Sequence, residues 1–203
     1  VLRIVEEVIY MYELLTKEEL LLRHARLRRA LERFVPEWET AVLVGRVNQF
    51  YLEGTMQDGI LIIKRDGGAF CFVRRSFERA RLESPMDNIF KMESYRDATA
   101  AAGADFGVTC VETDIATLTV AERLKKYFNI KKLCPLDRAV MSVRSVKSPY
   151  ELHWTETAGS LHNEFFLNIV PGLMREGISE AEFTAELYSA MVRFGHQGIS
   201  RFS

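Results

Sequence analysis

The residues with the widest chemical reach in this 203-residue chain are His24, His153, His162 and His196 together with Cys71, Cys110 and Cys134. A hydrolytic metal centre needs several such donors, or carboxylates, converging on one point. His153 and His162 stand nine residues apart, about 900° around a helix at ~100° per residue, so they take opposite faces and cannot share an ion. His153-x-x-Glu156 does share a face, but two ligands on a surface helix make a poor site, and the pair reads as solvated polar residues. His24 falls in the apolar stripe of a helix and reads as a half-buried packing histidine. His196 follows Gly195 and reads as a group that helps a helix C-terminus. Cys71 and Cys110 sit inside apolar strand runs and Cys134 precedes Pro135; burial at such positions disfavours the thiolate and leaves a thiol inert. No Ser/His/Asp spacing stands out, and Gly67-Gly68 lacks the following helix that a phosphate cradle requires.

The totals narrow the class. Apolar and charged fractions of 48% and 27% are those of an ordinary soluble globular chain, long enough to bury a core. A net charge of -1 gives no overall attraction to nucleic acid or anionic lipid. The basic clusters (Arg23, Arg26, Arg28, Arg29 and Arg33, then Arg74, Arg75, Arg79 and Arg81) are interleaved with Glu32, Glu78 and Glu83 and read as solvated faces. Neither nucleic acid nor membrane is an expected partner: no stretch approaches a membrane span, and Arg3, Glu6 and Glu7 spoil a signal-peptide core in the apolar start. Three scattered cysteines without a C-x-x-C pair fit a reducing compartment, so the expected location is cytoplasmic.

Elements that could position chemistry follow from periodicity and turn signals. Thr16 opens a helix with Glu19 completing a capping box and Leu15 stapled to Leu20; Leu20, His24, Leu27, Leu31 and Phe34 recur at helical spacing until Pro36. Strands are expected at 40–44, 59–64 and 69–73, the last two joined as a hairpin through Asp66-Gly67-Gly68. Helix 76–83, strand 88–92, helix 95–102, strand 106–111, helix 117–128, strand 132–134 and helix 137–143 continue the alternation, which predicts an α/β fold: a mixed sheet flanked by helices. Ser148, Pro149 and Glu151 then start a helix with a capping box, and Leu161, Phe165 and Ile169 share one face. Gly177 breaks the chain. Ser179 and Glu182 cap a last helix, with Ile178 stapled to Phe183 and Phe183, Leu187, Ala190, Met191 and Phe194 as its stripe.

Three motifs in order carry a resemblance. Arg144-x-x-Lys147-Ser148-Pro149-x-Glu151 resembles the domain junction of the creatinase/prolidase/aminopeptidase P family, the "pita-bread" metallopeptidases. Asn48-x-x-Tyr51-Leu52-x-Gly54 resembles that family's Asn-x-x-Tyr-Leu-x-Gly, and residues 171–182, opening Pro171-Gly172, resemble its Pro-Gly-x-x-Glu-x-Glu linker. The resemblance implies an N-terminal arm at 1–15, a creatinase N-terminal-type domain at 16–146 and, at 147–203, the helical start of a pita-bread α+β catalytic domain that continues past Ser203. It further implies a parent Xaa-Pro aminopeptidase or dipeptidase, active as a homodimer or higher homo-oligomer on peptide substrates and using two divalent ions (manganese, cobalt or zinc). The two aspartates, histidine and two glutamates of that centre come after Ser203 in the family, so no residue here is assigned to metal or catalysis and the segment alone is expected to be inactive. Creatinase-like C–N hydrolysis and a non-catalytic, peptide- or protein-binding pita-bread protein are the alternatives. In creatinase-like dimers a loop after the Tyr-x-x-Gly motif reaches the partner's active site. Here that loop holds Met56, Gln57 and Asp58, which would contact substrate; the competing reading is a hairpin-entry loop with Asp58-Gly59 as turn residues.

Overall fold

The computed structural model describes residues 14–194; the expectations placed on Gly195, His196 and most of the N-terminal arm lie outside them. The chain divides into two compact units, with the boundary between Val146 and Lys147. In chain order the first contains α1 (Lys17–Phe34), β1 (Thr40–Leu43), α2 (Arg46–Glu53), β2 (Gly59–Lys64), β3 (Ala69–Val73), α3 (Phe77–Glu83), β4 (Ile89–Lys91), α4 (Tyr95–Ala102), β5 (Asp105–Val111), α5 (Leu118–Tyr127), β6 (Asn129–Pro135) and α6 (Asp137–Ser145).

The six strands form one mixed sheet in the order β4-β3-β2-β1-β5-β6. β1 and β2 pair antiparallel, as do β2 and β3, while β1 with β5, β5 with β6 and β3 with β4 run parallel. Pleating sorts the apolar side chains to two faces. Leu61 and Ile63 of β2 join Leu27 and Leu31 of α1 and Val140 of α6 on one. Ile60 and Ile62 join Ala98 of α4 and Leu124 of α5 on the other. The hairpin turn forms where Asp66-Gly67-Gly68 requires it: the Lys64 amide donates to the Gly68 carbonyl at 2.8 Å, and Gly67 takes a φ of 132° that glycine accommodates.

Three features depart from the expectations. α2 was not anticipated at all. β6 runs 129–135 rather than 132–134; as an edge strand it exposes Asn129, Lys131 and Lys132, and those polar residues hide it from a search for apolar alternation. The arginines of α1 do not simply form a solvated face. Arg23 is 6% exposed and pairs with Glu19 at 2.8 Å. Arg26 donates to the Val143 and Val146 carbonyls at the end of α6, and Arg28 to those of Lys64 and Gly67 in the hairpin. Helix ends and turns leave carbonyls unpaired, and the guanidinium fork supplies donors that reach them.

The second unit contains α7 (Pro149–Glu164), a π-turn (Phe165–Ile169), α8 (Val170–Leu173) and α9 (Glu180–Arg193). Both capping boxes expected in this unit form, Ser148 with Glu151 and Ser179 with Glu182; at the start of α1 the Thr16 hydroxyl accepts from the Glu19 amide while the Glu19 carboxylate pairs with Arg23. The 171–182 stretch is not all linker: the helical chain runs through Pro171 to Leu173. Pro171 has no amide to give and its ring crowds the preceding turn, and the wider π-turn just before it, closed by Val170 N–H to Phe165 O, accommodates that. Gly177, with φ 81°, turns the chain. The α9 stripe is half-buried, with Phe194 against Phe165 at 5.9 Å between ring centroids. No helix among the described residues is long and apolar enough to cross a membrane.

His24 is a packing histidine more deeply placed than expected, 3% exposed, with Nε2 2.6 Å from the Leu52 carbonyl. The carbonyl only accepts, so Nε2 carries the proton. Burial holds the ring well below its usual range, at about 4 rather than 6.5; Arg28 adds to the effect and the Leu52 bond opposes it. The unfolded chain therefore binds a proton between pH 6.5 and 4 that the folded chain refuses, and stability contributed by neutral His24 is lost as pH falls through that window, by about 3 kcal/mol. Urea melts check this: the stability lead of the wild type over His24→Gln, which does not titrate, should shrink by about that amount from pH 6.5 to 4.

Candidate functional site

The site is built on α2, the helix that carries the Asn48-x-x-Tyr51-Leu52-x-Gly54 motif. Its N-terminal end meets Glu112, at the end of β5. The Glu112 side chain, with no exposed surface, accepts from the Val44 and Gly45 amides at 2.6 and 2.7 Å and from the Asn48 Nδ2 at 2.5 Å. Asn48 Oδ1 in turn accepts from Arg144 at 2.8 Å, so Asn48 links residues of two separate motifs, Arg144 on one side and Glu112 on the other. Two neighbours fix Glu112 itself: Asp137 accepts from the Thr113 and Asp114 amides and from the Thr113 hydroxyl. The opposite end of α2 receives cations and donors, since Arg23 donates to the Tyr51 carbonyl at 2.9 Å and lies over the Tyr51 ring, while His24 takes the Leu52 carbonyl. Carboxylate at the N-terminus and guanidinium at the C-terminus complement the helix dipole.

Gly54 ends the helix in the left-handed region, with φ 81°, and a Cβ there would meet Pro85 at 3.1 Å. The chain then enters the 55–58 loop. Gln49 Nε2, on the buried side of α2, donates to the carbonyls of Leu43 and of Gly59, the residue after the loop. Both ends of the loop are therefore tied to α2.

Of the three candidate substrate-contacting residues, Met56 is half exposed, at 50%, and Asp58 is also exposed. Gln57 is partly covered; its amide donates to Glu83 of α3 at 3.4 Å, next to the Thr55 hydroxyl, which reaches the same oxygen at 2.6 Å. Asp58 also contributes as backbone, its carbonyl accepting from the Arg74 amide at 2.7 Å. The structure thus brings the three together on one short loop and gives Gln57 a partner within the chain. Sequence reasoning missed the roles of Glu83 and Glu112: Glu83's loop partners and Glu112's partners on α2 lie 26 or more residues away and leave no local pattern.

Beneath the loop lies Glu53, 2% exposed, against Cys71 of β3, with one carboxyl oxygen that has no hydrogen-bond partner. Burial pushes its carboxyl up to about 8, opposed by the Cys71 contact, and the Cys71 thiol is itself pushed up by burial and by Glu53. A neutral acid therefore occupies this position at pH 7.

Metal chemistry has no donor set here. Among the described residues, no group of three or more His, Cys, Asp or Glu is placed to hold an ion. His153, Glu156 and His162 are all exposed on α7. No step of a metal-dependent reaction is assigned to any of them.

Two consequences can be measured. Glu112→Ala leaves two amides and Asn48 without their acceptor and should destabilise the chain by roughly 3–5 kcal/mol, read from urea midpoints. For Glu53, the folded chain keeps a proton that the unfolded chain has released, so stability should fall from pH 6.5 to 8, by about 2 kcal/mol, and Glu53→Gln should remove the decline.

Residues 23–146 match the Creatinase/Prolidase N-terminal domain family. No curated protein sequence matches. Among solved structures, the prolidase from Pyrococcus furiosus aligns with a TM-score of 0.73 at 19% identity, covering 85% of this chain and 53% of its own. The Xaa-Pro dipeptidase from Bacillus anthracis aligns with 0.74 at 19% identity, covering 88% and 50%. A Creatine_N superfamily domain of a dipeptidase from Streptococcus thermophilus aligns with 0.52 at 18% identity, covering 59% of this chain and 96% of that domain. These likenesses are of fold, and the chain spans about half the length of the first two proteins. With 23–146 matched and the six-stranded mixed sheet in place, the chain belongs to the creatinase/prolidase N-terminal domain family.

Proposed function

We propose that the chain is the N-terminal regulatory, oligomerisation and cleft-shaping part of a metal-dependent Xaa-Pro aminopeptidase or dipeptidase. In this reading 16–146 form the N-terminal domain, and 147–203 begin a pita-bread catalytic domain that supplies the two-metal centre. The observation that carries the reading is the loop at 55–58: a short, exposed tip whose two ends are pinned to α2 by Gly54 and Gln49. A tip on so firm a base presents Met56 and Asp58 outward, suited to the active site of a partner subunit in a homodimer or larger assembly. Met56 would pack against an apolar side chain of the peptide, and Asp58 would accept from its amino end. Gln57 serves the same surface once it exchanges Glu83 for substrate.

The test uses the full-length protein on Xaa-Pro peptides. Hydrolysis should be lost with a chelator and restored by manganese, cobalt or zinc. Gln57→Ala with Asp58→Ala should lower kcat/KM about tenfold, the loss of ~1.4 kcal/mol of transition-state contact, without altering the urea midpoint. Unchanged kcat/KM across several peptides would leave the loop a structural hairpin entry. Hydrolysis of creatine instead of Xaa-Pro peptides, or no hydrolysis at all, would overturn the peptidase reading itself.

A further inference from the structure

Cys110 and Cys134 lie directly opposite each other in the parallel pairing of β5 and β6. Both side chains enter the same apolar layer, so both point to one face of the sheet. Directly paired residues on adjacent strands are separated by roughly the 4.7–4.9 Å strand spacing, inside the ~4.4–6.8 Å range of Cα separations that a disulfide spans. Both are free thiols. The third, Cys71, is on β3 with two strands between it and β5, in a different cluster.

The surroundings distinguish the two sulfurs. Cys110 has no exposed surface and Cys134 is 6% exposed. β6 is an edge strand with mostly exposed or half-buried neighbours, so opening at that edge uncovers Cys134 without unfolding the sheet. Lys132, two residues earlier on the same side of the strand, is hydrogen-bonded to Glu37 at 2.9 Å and interacts electrostatically with Cys134. Its ammonium stabilises negative charge that builds on that sulfur during attack.

We propose that Cys110 and Cys134 are a reversible dithiol–disulfide couple, a modification site that responds to peroxide and fastens edge strand β6 to β5. The Cys134 sulfur, its proton released to solvent, attacks one peroxide oxygen; the O–O bond breaks, Cys134 becomes a sulfenic acid, and the departing hydroxide takes up a proton as water. The Cys110 sulfur then attacks the Cys134 sulfur, the S–O bond breaks, and the hydroxyl leaves as a second water with the Cys110 proton. The two thiols lose two electrons, and hydrogen peroxide gains them. Burial pushes the Cys110 thiol up to about 12, with Cys134 and Glu37 adding to it and Lys132 opposing, so the second step is slow at neutral pH.

The experiment treats the chain with hydrogen peroxide for hours at neutral pH, alkylates it in denaturant and digests it without reductant. Mass spectrometry should find a peptide linking Cys110 to Cys134, cleaved by dithiothreitol, with Cys71 alkylated. Cys110→Ala should lose the link and leave a Cys134 sulfenic acid that dimedone traps; Cys71→Ala should keep the link. Should either variant fail to fold, phenylarsine oxide, which needs two adjacent thiols, gives a second measurement on the wild type: a one-to-one adduct that protects Cys110 and Cys134 together. Full alkylation of both cysteines after peroxide, a link to Cys71 instead, or no arsenical adduct would overturn the proposal.

Discussion

The Glu112 carboxylate has no contact with water, and an ionised group in that position must find its donors inside the protein. It finds them in the last amides before α2 and in the Asn48 side chain. That requirement places α2 relative to the end of β5, across more than sixty residues of chain. An eight-residue helix is too short to persist by its own hydrogen bonds. It persists here because its two ends are filled by groups of the right sign and its buried face holds Leu52 in the core. The Asn-x-x-Tyr-Leu-x-Gly pattern is accordingly architectural: Asn48 joins Glu112 to Arg144, Tyr51 lies under Arg23, and Gly54 supplies the left-handed stop.

What could be read from the sequence was what local chemistry encodes. The hairpin at 66–68 follows from Asp-Gly-Gly between alternating apolar runs, and the capping boxes at Ser148 and Ser179 follow from serine with glutamate three residues on. The same logic found the α1 stripe, and with it His24. α2 escaped because its buried positions include Asn48 and Gln49, polar residues that an apolar period does not count. The reach of Arg26 and Arg28 to distant carbonyls escaped for the same reason: a guanidinium on a helix surface looks solvated until the partner element is in place. The loop at 55–58 was recognisable as a loop. Its tether to Glu83 was not, since that residue lies on a helix whose own sequence points only to its i,i+4 partner Arg79.

Polar tethers and apolar packing also divide the work around that loop. Thr55 and Gln57 share one oxygen of Glu83, while the other takes Arg79 at 2.5 Å. The helix bearing Glu83 rests on Ala80 against Cys71 and Val73, the cluster beside the neutral acid Glu53. A carboxylate at Glu53 would need donors that the cluster cannot supply, whereas the neutral acid needs only one acceptor and tolerates apolar walls. The protonation of Glu53 is therefore a condition for close packing under α3, and through Glu83 for the setting of the loop. If the loop binds substrate as proposed, fixing its conformation before the ligand arrives raises affinity, because less freedom is lost on binding. Here the solvent-facing side chains, Met56 and Asp58, alternate with Thr55 and Gln57, which are hydrogen-bonded to Glu83 of α3. That arrangement leaves the Met56 and Asp58 side chains free to adjust while the backbone that carries them is held at Thr55, Gln57 and Gly59.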